Sequence, residues 1–178
     1  MQHRVYFGKG DQSITTVPHR DGRPVRVASA TYAIYDARFG DNSSDHVVVA
    51  AGSVATIDAV STTLTAKAGR NAADRRTITV GSTAGVSVGK TYLLTSTGGI
   101  VELVKIAAVV SATVLLAATE LRGDLATGSM LRGVAVSGTF PAVEADDDLN
   151  LDGFPFYVVW SFPDCPPLQE SIFLQRAE

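Results

Sequence analysis

The sequence predicts an all-β protein, a β-sandwich with an inserted small β-barrel module. Three observations carry this reading. Val, Thr, Ala, Ser and Gly dominate the chain, and they favour strands and tight turns over helices. No segment sustains an apolar period of 3.6 residues over three turns, the mark of an amphipathic helix. Near the C-terminus Phe154, Phe156, Val158, Trp160 and Phe162 alternate with other residues, which places all five on one face of a strand.

Residues 1–23 are polar and rich in Arg, Gly and Asp, with one apolar island at Val5-Tyr6-Phe7. They read as an N-terminal arm or an irregular strand. Val27 to Arg38 reads as a long strand with Ala28, Ala30, Tyr32 and Ile34 on one face. Asp41-Asn42-Ser43-Ser44-Asp45 is a turn, because short polar side chains bond their own backbone there. His46 to Ala50 and Gly52 to Ala66 continue as β material. Ala66 to Arg76 is the single stretch that admits a helix, and Gly69 and Asn71 limit it to a turn or two.

The middle of the chain changes character. Between Ser82 and Thr119 the charged residues are Lys90, Glu102 and Lys105. Lys90 to Ser96 and Ile100 to Ala107 read as strands joined near Gly98-Gly99, a pair that permits the positive φ of hairpin turns. Ala112 to Ala117 is a third strand, and Ser129 to Phe140 a fourth. After the alternating run, Pro155 and Pro163 bracket its strand, since Pro cannot donate to a ladder. Pro166-Pro167 makes a turn, and Glu170 to Gln175 closes the chain with Ile172 and Leu174 inward. The resulting division is an arm over 1–23, a sandwich from 24–75 plus 134–178, and an inserted barrel over 76–133. It requires Val27 to Arg38 to pair with the Trp160 strand. Two β domains in series is the alternative.

A chain of 178 residues can bury roughly 70% of its unfolded surface. With 46% hydrophobic and 19% charged residues it has too little charge for disorder. A net charge of −3 argues against an overall electrostatic grip on nucleic acid. The single cysteine, Cys165, excludes an intrachain disulfide and a cysteine-based zinc site. It suits a reducing cytosol, or a particle assembled there. Met1-Gln2-His3-Arg4 leads into no apolar stretch, so no signal peptide is expected. The longest uncharged apolar run, Ile106 to Thr119, has 14 residues, against about 20 for a membrane helix. It reads as buried sheet, with no membrane partner.

Several motifs bear on chemistry. Gly85-Val86-Ser87-Val88-Gly89-Lys90-Thr91 resembles a phosphate-binding loop. Ala84 stands where the first glycine belongs, and Tyr92-Leu93-Leu94-Thr95 signals a strand rather than the helix whose amides hold phosphate. Asp148-Leu149-Asn150-Leu151-Asp152-Gly153 matches the first half of a calcium loop. Phe156 and Val159 stand where its later ligands belong, so it reads as a solvated acidic loop. His3, His19 and His46 are the histidines; Ser43 and Ser44 near His46 are sequence neighbours, whereas a triad converges from separate elements. Cys165 beside Asp164 has the wrong charge neighbour for a reactive thiol. No catalytic residue, cofactor or metal is assigned, and the chain is read as not an enzyme. Charge is unevenly placed: Arg4, Lys9, Arg20, Arg23, Arg26 and Arg38 lie early, whereas Glu144, Asp146, Asp147, Asp148, Asp152, Asp164, Glu170 and Glu178 lie late. Either the two ends meet in one sandwich and neutralise each other, or a basic face meets an acidic face of the next subunit, with Arg20, Arg23 and Arg26 as candidate inter-subunit contacts to Asp146, Asp147 and Asp148. Such heterologous contacts close into rings when the rotation allows.

A family resemblance rests on two stretches. One is Thr77-Ile78-Thr79-Val80, Val86 to Leu94, Gly99 to Ile106, Leu121-Arg122-Gly123-Asp124 and Gly128-Ser129. It resembles the small β-barrel module of several tailed-bacteriophage structural proteins. The other, Phe156 to Phe162 with Ile172-Phe173-Leu174-Gln175, is similar to the ends of phage neck and tail-associated β proteins. Together they cover less than half of the chain. The resemblance implies a virion structural protein without cofactor, in a symmetric ring, closest to head-to-tail stopper or connector proteins. Its partners would be copies of itself and neighbouring virion proteins. A baseplate or tail-associated carbohydrate-binding module is the alternative, with Tyr32, Tyr35, Tyr157 and Trp160 as candidate sugar platforms.

Overall fold

The computed structural model describes residues 2–6, 9–36, 47–70, 72–99, 101–142 and 155–175. Among them every regular element is a strand, labelled β1 to β18 in chain order, and the all-β expectation holds. The chain divides into two compact units. One comprises Met1–Arg20, Val27–Ile57 and Val136–Glu178, the other Asp21–Arg26 and Asp58–Ala135.

The first unit contains β1 (Gln2–Tyr6), β5 (Thr31–Asp36), β6 (Val47–Val54), β17 (Pro155–Phe162) and β18 (Cys165–Gln175), ordered β1-β18-β17-β5-β6. A second sheet in this unit is β2-β16-β7, from β2 (Gln12–Thr16), β7 (Thr56–Ile57) and β16 (Val136–Phe140). The alternating run buries one face as its pattern requires: Phe156, Val158, Trp160 and Phe162 are buried, whereas Tyr157 and Val159 are half-buried and Ser161 is exposed. Phe154 lies outside the described residues. The strand expected over Val27 to Arg38 is shorter, Thr31–Asp36, and it pairs antiparallel with β17, Tyr32 opposite Trp160.

Aromatic rings join the two sheets. Within the first sheet Tyr32 and Trp160 have ring centroids 5.5 Å apart, and across the layers Phe140 of the second sheet meets Phe156 of the first edge-on at 5.3 Å. The Tyr32 ring lies over Gly138, where an added Cβ would come within 2.9 Å of it. Its hydroxyl accepts from the Thr139 amide at 2.9 Å and donates to the Thr139 carbonyl at 3.2 Å. Packing of this kind between sheet faces is a sandwich.

Two expectations in this unit are corrected. Within residues 1–23, Gln2–Tyr6 and Gln12–Thr16 are paired strands of this unit rather than an arm. Strand β1 pairs parallel with β18, Val5 opposite Leu174, and Val5 and Ile14 are each 1% exposed. With so few inward apolar residues, hydrogen bonds supply the order. The Gln12 side-chain amide clasps both the N–H (2.9 Å) and the carbonyl (2.8 Å) of Tyr6. The buried carboxylate of Glu170 accepts from Trp160 Nε1 (2.9 Å) and the Thr16 hydroxyl (3.1 Å), and lies 3.0 Å from His3 Nε2. The second correction concerns the last hairpin, which turns at Pro163-Asp164 rather than at Pro166-Pro167. Both of those prolines, with half-buried Cys165, belong to β18. They lie beside the register shift between Trp160 and Phe162, where missing amides cannot complete a regular ladder.

The second unit is built on β8 (Ser61–Thr63), β10 (Thr77–Thr79), β11 (Thr91–Thr95), β12 (Val101–Val109), β13 (Val114–Ala117) and β15 (Met130–Gly133), ordered β10-β13-β12-β11-β15-β8. A bridge between Leu64 and Val80 brings the ends of β8 and β10 together, with Thr65 N–H to Thr79 O at 2.9 Å. The sheet thereby curls into a small barrel around Leu64, Ile78, Tyr92, Leu94, Ile106 and Leu115. Each such side chain contributes roughly 1.5–3 kcal/mol when fully buried. Asp58 to Arg75, expected with the sandwich, belongs here instead, because β8 pairs with β15. The strand expected over Ser129 to Phe140 is two strands, β15 and β16, which belong to different units. No helix forms over the described part of Ala66 to Arg76. Ala68–Gly69 is β9, paired with Asp124–Leu125 (β14), and Gly69 has φ +95°, outside the helical region.

Candidate functional site

Strand β12 positions the most distinctive surface of the second unit. Its inward row buries Val104 and Ile106 in the barrel, while Val101 (39% exposed) and Leu103 (40%) face outward. Glu102 stands on the inward row at the barrel's rim. Its carboxylate accepts from the Arg122 amide at 2.9 and 3.1 Å and from the Gly123 amide at 3.0 Å. Successive amides aimed at one anion form a nest, and here the chain fills it with its own carboxylate, tying the loop after β13 to β12.

The same loop is held from the other side. Arg70 N–H donates to the Gly123 carbonyl at 3.0 Å, and Leu121 N–H to the Arg75 carbonyl at 2.9 Å. The exposed Asp74 carboxylate accepts from the Thr77 hydroxyl (2.6 Å) and the Arg76 amide (2.9 Å). These two bonds, the hydroxyl's first, hold it below the usual carboxylate range. Gly69 has no side chain because none fits: an added Cβ would collide with the Gly123 carbonyl oxygen. Gly69→Ala is therefore expected to destabilise the protein by about 2 kcal/mol or more, since left-handed backbone alone costs an L-residue about 1–2 kcal/mol. Urea unfolding measures this, and a near-neutral result would mean that the two backbones do not approach so closely in solution.

These ties frame an open cleft of about 1000 Å³ lined by Arg70, Arg75 and Arg122 together with Val101, Glu102 and Leu103. Glu120 also lines it and pairs with Arg75 at 3.5 Å, both side chains being more than half exposed. Such a pair is worth under about 1 kcal/mol. Glu102 accepts from backbone amides and keeps its negative charge. Among the described residues no carboxylate pairs with the Arg70 or Arg122 guanidinium. With three arginines against Glu102 and Glu120, the cleft carries a small excess of positive charge beside exposed Val101 and Leu103. Arginine beside apolar side chains is a composition enriched in protein–protein interfaces.

The arginines singled out from the sequence are ordered and exposed. Arg20 ends β3 (His19–Arg20) in the first unit and Arg23 begins β4 (Arg23–Pro24) in the second; the intervening Asp21 and Gly22 have φ of 52° and 73°. Arg20 Nε donates to the Asp164 carbonyl at 2.8 Å. Arg23 lines a smaller hollow with Pro24, Gly99 and Val101. Arg26 follows β4 and is exposed. Asp146, Asp147 and Asp148, with the calcium-like run to Gly153, lie outside the described residues, as do Ser43, Ser44 and His46. Arg70, Arg75 and Arg122 were not singled out from the sequence. The available signal was Glu102, a carboxylate alone in an apolar strand.

Other motifs resolve plainly. Around Gly85 to Lys90 the amides are consumed within the fold: Val86 to the Thr83 carbonyl, Ser87 to the Tyr92 hydroxyl, Gly89 to the Ile106 carbonyl. Strand β11 follows at Thr91. The loop is a pair of turns feeding a strand, without the cradle of free amides that phosphate requires. His3 is engaged with Glu170, and His19 Nδ1 lies 2.8 Å from the Val17 carbonyl. Among the described residues no group of three or more His, Cys, Asp or Glu could hold a metal ion. No described helix is long and apolar enough to cross a membrane. Of the four candidate sugar platforms, Trp160, Tyr32 and Tyr35 are buried, and half-buried Tyr157 stacks on Tyr35 with centroids 5.3 Å apart. Three of the four rings are thus withdrawn from the surface, and one face of the fourth is covered by Tyr35. Compared with protein-family models, curated proteins and solved structures, the chain matches none of them.

Proposed function

We propose that this chain is a structural subunit of a tailed-bacteriophage particle, a head-to-tail connector of the stopper or neck type. It forms a ring by heterologous contacts, is made in the host cytoplasm and resides in the virion. The observation that carries the reading is the arginine cleft: a rigid barrel wall presenting unpaired guanidinium groups around exposed Val101 and Leu103. A surface of this kind suits docking to another protein. Five of the chain's 18 acidic residues fall in one short run, Glu144, Asp146, Asp147, Asp148 and Asp152. A subunit with unlike patches meets its neighbour head to tail, and a rotation that closes makes a ring. The resemblance to phage structural proteins of the segments between Thr77 and Ser129 named above, and of Phe156 to Phe162 with Ile172 to Gln175, supplies the particle. Its other partners are the adjoining virion proteins, and the role needs no cofactor.

Two measurements test this. Phage particles purified from the host that makes the chain are expected to contain it in multiple copies by quantitative mass spectrometry. The purified protein is expected to form annular particles in negative stain at low salt and fewer as salt rises, because exposed charge pairs are screened. Absence from purified particles would sink the proposal.

A further inference from the structure

We propose that the occupant of the arginine cleft is an acidic polypeptide, the run at residues 143–153 of a second copy of this chain. The inference rests on the assembly reading above and names the partner of that site. Two features of the cleft select the ligand. Arg70 and Arg122 project positive charge that no described carboxylate answers, while Arg75 is held only by an exposed, weak pair to Glu120. Between them lies an apolar floor, Val101 and Leu103, each about two-fifths exposed. A ligand that matches both carries carboxylates interleaved with aliphatic side chains. The run Val143-Glu144-Ala145-Asp146-Asp147-Asp148-Leu149-Asn150-Leu151-Asp152-Gly153 has that composition: five carboxylates for the guanidinium groups, and Val143, Leu149 and Leu151 for the floor.

Nucleic acid is the other polyanion, and the cleft suits it less. The backbone nest that would cradle a phosphate is already filled by the Glu102 carboxylate. A carboxylate-rich peptide meets the guanidinium groups in bidentate pairs, and its leucines cover surface that a sugar-phosphate backbone would leave wet. The contact joins two different patches and is heterologous, so it can propagate from subunit to subunit.

The experiment uses two full-length variants. Arg70→Glu with Arg122→Glu disables the cleft; Asp146→Lys with Asp147→Lys and Asp148→Lys disables the run. Both sets leave every residue of the two described cores untouched, and circular dichroism verifies folding. Each variant alone is expected to be monomeric by sedimentation at low salt. Mixed, they are expected to form one-to-one dimers that grow no further, because each supplies the intact half that the other lacks. A fluorescent peptide of residues 143–153 is expected to bind the wild-type chain and to weaken about tenfold or more on the cleft variant, the loss of two exposed charge pairs. Variants that assemble as the wild type does, a mixture that stays monomeric, or a peptide indifferent to the cleft substitutions would each overturn the proposal. So would binding of a single-stranded oligonucleotide that depends on Arg70 and Arg122 when the peptide does not bind. Failure here with the chain present in purified particles leaves the virion role standing and removes this contact. Success with the chain absent from particles keeps the contact and removes the virion role.

Discussion

Trp160→Ala is expected to destabilise the protein by about 3–5 kcal/mol, the range for truncating a large aromatic side chain in a core. Trp160 is completely buried, flanked by Tyr32 on β5 and Leu168 on β18, and its ring lies 5.5 Å from that of Tyr32. Removing it opens a cavity at the centre of the aromatic layer and also withdraws the Nε1 donor from Glu170. Trp160→Phe separates the two contributions. It keeps most of the volume and loses the N–H, so it is expected to cost about 1–3 kcal/mol, the penalty for a buried polar group deprived of a partner. As the chain has one tryptophan, native wild-type fluorescence reports this site alone and is expected to be blue-shifted. Denaturant unfolding followed by circular dichroism gives the energies. A red-shifted native spectrum with a near-neutral alanine variant would mean that the ring is not in the core.

Glu170→Ala is expected to cost a comparable amount, about 3–5 kcal/mol, because removing one partner of a buried, charge-assisted cluster strands the others. His3, Thr16 and Trp160 all converge on this carboxylate, so its loss loosens β1, β2 and β17 together. The same cluster gives the protein an acid limb. Burial raises the carboxyl pKa, but hydrogen bonding and charge from His3, then the bonds from Thr16 and Trp160, outweigh it, and the net shift is downward. A group whose folded pKa lies below its unfolded value contributes stability above the unfolded pKa, about 4.3 for Glu. That contribution is lost as pH falls through the folded value. The melting temperature of the wild type is therefore expected to drop as pH falls below about 4. In Glu170→Gln, already less stable at neutral pH, the drop over the same range is expected to be shallower. Parallel pH profiles for the two proteins would show that other carboxylates set the acid limb.

The legible part of this protein was its local patterning. Alternation from Phe156 to Phe162 identified a strand and the face it buries, because side-chain direction in a strand follows from backbone geometry alone. Sparse charge between Ser82 and Thr119 marked material that packs its own core, and the absence of a 3.6-residue period excluded long helices. What the sequence did not carry was convergence. The N-terminal strand has little apolar content of its own; it is ordered by a parallel ladder to β18 and by polar bonds to Gln12 and Glu170, partners that no local period can announce. Gly69 argued for a short, weak helix in a one-dimensional reading, whereas its actual role is to let two backbones touch. The cleft depends most on tertiary structure. Arg70 and Arg75 lie in the connection from β9 to β10 and Arg122 in the loop after β13, and only the pairing of β9 with β14 and the Glu102 bonds to the loop after β13 bring them to one wall. Composition and periodicity determine which residues avoid water; long-range hydrogen-bonded ladders decide which of the remaining charged residues become neighbours.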